Sequence, residues 1–218
     1  MTKRITYLDN AATTPVRPEV LEAMLPYLGK EAFGNPSSAH RFGRAARAGV
    51  EEAKRAVAAA LGAEPNQVVF TSGGTEADNL AIIGAALAAR DRGGPFRVAV
   101  SAAEHKAGLA AAHAVKHLGG EEVILPVTAS GLLDHAALDR ALASGGGVAI
   151  VSVMWVNNEV GTIQPVRELA DRCREAGALF HSDAVQALAR FRFRSTTSTA
   201  RSSPSPATRS ALPKGSAP

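Results

Sequence analysis

The chain has 218 residues, 46% of them hydrophobic, which is enough for a globular fold with its own core. Lys and Arg number 24 against 20 Asp and Glu, but residues 192–218 hold five of those basic side chains and no acidic one. The remainder, 19 basic against 20 acidic, is nearly neutral, so the +4 charge is no argument for direct nucleic-acid binding.

The chain opens with "MTKRITYLDNAATTP", which lacks the hydrophobic stretch of a secretory leader. No apolar run approaches the roughly 18 residues that a membrane helix needs. Cys173 is the single cysteine, so an internal disulfide is excluded and a cytoplasmic setting is expected. Residues 17–62 read as helical, in "RPEVLEAMLPYL" and then an Ala-rich stretch from Ser38 to Leu61, with a loop between. An alternation follows. "QVVFTS" reads as a strand and "EADNLAIIGAALAAR" as a helix; "FRVAVS" as a strand and "HKAGLAAAHAVKHL" as a helix. "EEVILPV", "GVAIVSVMW" and "ALFHSDA" read as further strands, separated by the helical patterns "DHAALDRALA" and "VRELADRCREAG". Strands alternating with helices give an α/β fold, a largely parallel sheet with helices on both faces.

In open α/β sheets, ligands bind beyond the carboxyl ends of the strands. The segments there are "SGGTEADN", "AAEHK", "VNNEVG" and "SDAVQ", and each is polar. Gly73 and Gly74 let backbone N–H groups approach an anion at a helix start, where Thr75 adds a hydroxyl. The motif lacks the GK[ST] of a P-loop, and its plainer reading is a Gly-rich turn capped by Thr75. Asp183 and His181 share a face by alternation. A carboxylate at Asp183 could hold a protonated ring nitrogen, as enzymes that use pyridoxal 5′-phosphate require, with Gln186 within reach of the same ligand. The alternatives are a solvated strand end or a metal site. His105, at a helix start, could stack on a planar cofactor and exchange protons near neutral pH, or could simply face water. Lys106 follows it but diverges by about 100° around the helix. His113 and His117 lack the glutamate of an HExxH site and read as helix surface. Cys173 lies in an amphipathic helix and reads as a packed thiol.

Taken together, "YLDNAATTP", "GNPSSAHRFGR", "FTSGGTEADNLAI", "EHKA", "VNNEVGTIQPV" and "HSDAVQ" resemble the cysteine desulfurases of the class V aminotransferase family, in the same order and spacing. The resemblance spans about residues 5 to 191. It implies the large domain of a fold-type-I pyridoxal phosphate enzyme, with residues 1–191 an incomplete cofactor-binding domain and the C-terminal small domain missing. It further implies removal of sulfur from L-cysteine to give alanine and an enzyme persulfide, delivered to a sulfur-acceptor protein for iron–sulfur cluster or tRNA thiolation pathways. A homodimer without membrane attachment is implied as well. Residue by residue, Gly74 and Thr75 resemble the phosphate contacts, and His105 the catalytic residue stacked on the ring. Asn158 and Gln186 resemble the contacts to ring substituents, and Asp183 the partner of the ring nitrogen. Other class V members, such as a selenocysteine lyase or an aminotransferase-like epimerase, and a non-enzymatic cofactor-binding remnant are the alternatives. "VNNEVGTIQPV" favours the desulfurase branch.

Two family features are absent, namely the Schiff-base lysine of a Ser-x-His-Lys motif and the mobile loop with a nucleophilic cysteine. Without them the chain is expected to be inactive. Residues 192–218 are polar, Ser- and Pro-rich and expected to be disordered. Shifted by one nucleotide, their codons can spell Ser-Gly-His-Lys followed by Gly-Ala-Pro-Lys-Gly. The lysine would then fall at Arg209, 26 residues after Asp183. Resequencing the gene is therefore expected to show a one-base insertion or deletion near codon 192; stop codons in the neighbouring frame ahead of that motif would contradict this.

Overall fold

The computed structural model describes residues 6–188. They fall into two compact units that divide between Phe70 and Thr71. Residues 192–218, expected to form a separate tail, lie outside the described residues.

The first unit is helical. Helix α1 (Pro18–Leu28) starts on a proline, whose fixed φ suits the first turn and whose missing N–H costs nothing there. Helix α2 (Arg41–Leu61) starts at His40, whose side chain accepts the Gly43 N–H, and ends on Gly62 at φ 64°, a left-handed conformation that a Cβ disfavours. Gly43 itself is required by crowding, because a Cβ there would sit 2.3 Å from the Ser38 carbonyl oxygen.

The second unit is the α/β layer. Its elements run α3 (Gly74–Arg90), β1 (Arg97–Ser101), α4 (Lys106–His117), β2 (Glu121–Leu125), α5 (His135–Ala143), β3 (Ile150–Ser152), α6 (Val166–Glu175) and β4 (Leu179–His181). The strands form one sheet in the order β2-β1-β3-β4, and every pairing is parallel. A parallel sheet hides both faces, and the sequence supplies apolar residues at both parities to do so. Val98, Val100 and Ile150 pack with Ile82 and Ala86 of α3 and with Ala111, Ala112 and Val115 of α4. Ala99, Val151 and Phe180 point the other way, onto Leu138 and Ala141 of α5 and Leu169 and Cys173 of α6. The expected α/β architecture, with helices on both faces of a parallel sheet, is the observed one.

One expected strand is not formed. "QVVFTS" instead begins with a single 3-10 turn, Pro65–Gln67, and residues 68–71 pair with no strand among the described residues. Val69 and Phe70 are exposed. Apolar alternation supplies a face, but a strand also needs a neighbour to take its hydrogen bonds.

Connectivity reverses direction between β1 and β3. The chain leaves β1 toward β2 on one side and leaves β3 toward β4 on the other, so a crevice opens at the carboxyl ends of those two central strands.

The packing also fixes the chemistry of the one thiol. Cys173 is fully buried in the α5/α6 core, and burial pushes its pKa up to about 12. The native chain is expected to resist thiol reagents at pH 8 and to react at once in guanidinium; prompt labelling under native conditions would contradict the position given to α6.

Candidate functional site

Register places the polar residues. Val100 pairs with Ser152 and Ser152 with His181, so these three form a row at the carboxyl edge of the sheet. Parallel partners project to the same side, and two residues earlier Val98, Ile150 and Leu179 face α3 and α4. Ser152 and His181 therefore emerge under the start of α3, and their side chains meet, Ser152 Oγ lying 3.0 Å from His181 Nδ1. The ladder continues past the named strands, with Val153 N–H donating to His181 O and Trp155 N–H to Asp183 O. Asp183 is thereby carried to the mouth of the crevice.

Helix α3 begins at Gly74 after Gly73, and no side chain caps it. Ser72 does not face its open N–H groups; its N–H and hydroxyl both donate to the Glu76 carboxylate, at 2.7 and 2.6 Å, which holds that carboxyl below its usual range. Thr75 is exposed, and its carbonyl accepts from Asn79 Nδ2. A Cβ built at Gly74 would meet only Val185 Cγ2, at 3.8 Å, so the helix start adjoins the segment after β4.

His105 is the N-cap of α4. Its Nδ1 accepts the Ala107 N–H at 3.2 Å, so Nε2 is the nitrogen turned away from the helix backbone. Lys106 is exposed, as its position on the helix requires. Asp183 is buried, and Oδ1 accepts the Val185 N–H at 2.9 Å. Burial raises its pKa, while the Val185 N–H and the charge on His105 pull it back down. Gln186 is half-buried in the turn that follows.

The two asparagines of "VNNEVG" divide their work. Asn157 donates to Ala103 O at 3.0 Å and accepts the N–H groups of Glu159 and Val160, so it shapes the loop and ties it to the segment after β1. Asn158, the residue singled out from the sequence, is exposed beside it. Gln164 anchors the far end of the loop, accepting the Leu133 N–H and donating to Gly131 O.

Two buried carboxyls, Glu104 and Asp78, were not singled out from the sequence, and His181 was placed there only as a neighbour of Asp183 by alternation. Glu104 turns back under the crevice, accepting the Ser152 hydroxyl at 3.2 Å and the Met154 N–H. Burial pushes its pKa up to about 8; Asp183 and Asp78 add to this, and its two donors oppose it. Asp78, on the second turn of α3, is pushed to about 7 by burial and by the charge of Asp183. His181 goes the other way, with burial lowering it to about 4, so its ring is neutral at physiological pH. The available signal was Ser152, a hydroxyl inside an otherwise apolar strand.

His113 and His117 lie on the exposed side of α4. Their Nε2 atoms are 3.0 Å apart, and His113 Nδ1 lies 3.2 Å from Glu122, which also takes Lys116 Nζ. They stand apart from the residues at the strand ends. Among the described residues, no helix is long and apolar enough to cross a membrane.

Comparison with known proteins agrees with this fold. The family model for aminotransferase class V matches residues 6–196. A cysteine desulfurase IscS of Dictyoglomus turgidum is 47% identical over 184 residues, covering 84% of this chain and 45% of the relative. A cysteine desulfurase of Bradyrhizobium diazoefficiens is 49% identical over 187 residues, covering 85% and 46%. Among solved structures, SspA in complex with cysteine superposes with a TM-score of 0.77 at 34% identity, over 84% of this chain and 51% of that one. A NifS-like protein superposes with a TM-score of 0.75 at 35% identity, over 82% and 48%. The chain thus spans about half the length of the curated relatives it matches.

Proposed function

The chain belongs to the aminotransferase class V family, whose members depend on pyridoxal phosphate, and on that premise we propose that it derives from a cysteine desulfurase. The substrate of the parent activity is L-cysteine and its products are alanine and a persulfide sulfur. That sulfur passes to an acceptor protein serving iron–sulfur cluster assembly or tRNA thiolation. The parent works as a homodimer in the cytoplasm. The relatives' names and the cysteine complex of one similar structure support this reading.

The observation that carries it is a buried Asp183 at the carboxyl edge of the sheet, within electrostatic reach of His105 and beside the open start of α3. This donor set fits pyridoxal phosphate. The uncapped N–H groups at Gly74 and Thr75 offer hydrogen bonds and a positive dipole end to a phosphate. A carboxylate that burial disfavours gains most from a cation, and a protonated ring nitrogen is one. His105 has its Nδ1 fixed by the Ala107 N–H, so the orientation of its ring is set for stacking, with Nε2 free to hold or pass a proton. Asn158 and Gln186 would contact the ring substituents. When bound, the cofactor supplies an electron sink that weakens bonds at the α- and β-carbons of the amino acid. The protein's share is to fix the ring, keep its nitrogen protonated and exclude water.

The 218 residues contain no lysine at the family's Schiff-base position and no cysteine other than the buried Cys173. A polypeptide of this sequence is therefore expected to bind pyridoxal phosphate reversibly, to lose it on dialysis and not to be fixed to it by borohydride. Asp183→Ala should weaken binding about tenfold or more, since a charge-assisted hydrogen bond contributes about 1.5–3 kcal/mol. Alanine release from L-cysteine should stay at the level of the cofactor alone. Absence of binding would contradict the site, and a borohydride-trapped lysine or clear turnover would contradict the loss of activity.

A further inference from the structure

Four buried side chains connect the start of α3 to the segment after β1. Asp78 Oδ1 lies 3.8 Å from His181 Nε2 and has no hydrogen-bond partner, although it is buried. His181 Nδ1 lies 3.0 Å from Ser152 Oγ, and Ser152 Oγ lies 3.2 Å from Glu104 Oε2. Glu104 Oε1 is held by the Met154 N–H. A buried carboxylate oxygen without a partner calls for an explanation, and so does a row of groups that can each give or take a proton.

A hydroxyl donates one hydrogen, and a neutral imidazole carries one. If Ser152 donates to a charged Glu104, His181 must donate from Nδ1 to Ser152. Its Nε2 lone pair then faces Asp78, which must be protonated. In the reverse arrangement a protonated Glu104 donates to Ser152, and Ser152 donates to His181 Nδ1. The Nε2–H then faces a charged Asp78. Each arrangement carries one negative charge; with both carboxyls protonated, Glu104 donates to Ser152, Ser152 to His181 Nδ1 and Nε2–H to Asp78, and the row is neutral. Two charges would set a lone pair against the Asp78 carboxylate, or demand an imidazolium that burial disfavours.

We propose that Asp78, His181, Ser152 and Glu104 form a proton wire that admits no more than one negative charge, shared between its two carboxyls, beneath the candidate cofactor site. The arrangements interconvert without net charge movement in or out. The Asp78 proton passes to Nε2, the Nδ1 proton to Ser152 Oγ, and the serine's own proton to Glu104 Oε2, while the histidine changes tautomer. The 3.8 Å link conducts only when its two groups approach to hydrogen-bond distance. A phosphate at the start of α3 disfavours charge on Asp78 and drives it to Glu104. Asp183 interacts electrostatically with both ends, so ligand binding at α3 changes the field at Asp183. These are positioning residues. Their role rests on the cofactor reading above; the test of the wire does not.

The test uses stability against pH without cofactor. The groups facing the wire are Asp183, which touches both ends electrostatically, and His105, which acts on Asp183. Both carboxyls are raised in the folded chain, so stability is fully present below their unfolded pKa near 4 and is lost as pH rises through about 7 to 8. Both protons are retained up to about pH 7; above it the wire still retains one, so the folding constant should go on falling about tenfold per pH unit beyond pH 8. Denaturant titrations of the full chain should show that loss from this site. Glu104→Gln alone should remove all of it, Asp78→Asn alone should also remove all of it, and the double variant should remove no more. Two independent carboxyls would overturn the wire, because both would be charged above about pH 8 and the loss would stop there in the parent chain as well. Should a variant fail to fold, carboxyl ¹³C NMR of the parent chain decides. A shared charge gives two carbons that each move through about half of their full shift at one common midpoint, and independent groups give full shifts at separate midpoints.

Discussion

Three carboxyl groups, those of Asp78, Glu104 and Asp183, sit in a dry space at the carboxyl edge of a parallel sheet, and among the described residues no lysine or arginine pairs with them. Burial raises all three, the charge of Asp183 raises Asp78 and Glu104 further, and that of Asp78 raises Glu104. A folded chain accepts such an arrangement when protons or a ligand neutralise it. Much of the surrounding structure maintains this condition. β3 and β4 end in Ser152 and His181, the turn after β1 folds Glu104 inward, and α3 lays Asp78 over them. The site is short of positive charge, and the part of the family's cofactor that would meet Asp183 is a cation.

Why the carboxyls come together follows from topology. All four strands run the same way, so all their carboxyl ends share an edge, and the reversal between β1 and β3 opens a crevice there. The apolar residues of both parities in β1 and β3 let α3 and α4 cover one face while α5 and α6 cover the other. The polar residues past the strand ends are thereby excluded from the core without being fully given to water. Asn157 and Gln164 then pin the loop between β3 and α6, through Ala103 on one side and Gly131 and Leu133 on the other.

The sequence made some of this legible and hid the rest for identifiable reasons. Helix and strand alternation was readable because each element carries its own period, and the placement of His105 and Asp183 after strands followed from it. The strand expected at 67–72 was not readable, because pairing belongs to two segments and the local pattern to one. Glu104 and Asp78 were quoted within motifs and read only as polar loop or helix residues. Their significance depends on contacts 48 residues away for Glu104 with Ser152 and across helix and sheet for Asp78 with His181. Ser152 alone departed from its local pattern. Asn157 shows the same limit, since two adjacent asparagines look alike until the loop assigns one of them to the backbone. Membership of the family was legible because it rests on motif order, which needs no contacts.

The most direct measurement is ¹⁵N NMR of ring-labelled pyridoxal phosphate bound to the chain, at a pH where the free ligand has lost its ring proton. The account predicts that the bound nitrogen remains protonated, because the Asp183 carboxylate, which burial disfavours, gains from a cation beside it. A bound ring nitrogen that titrates as it does in water would contradict it.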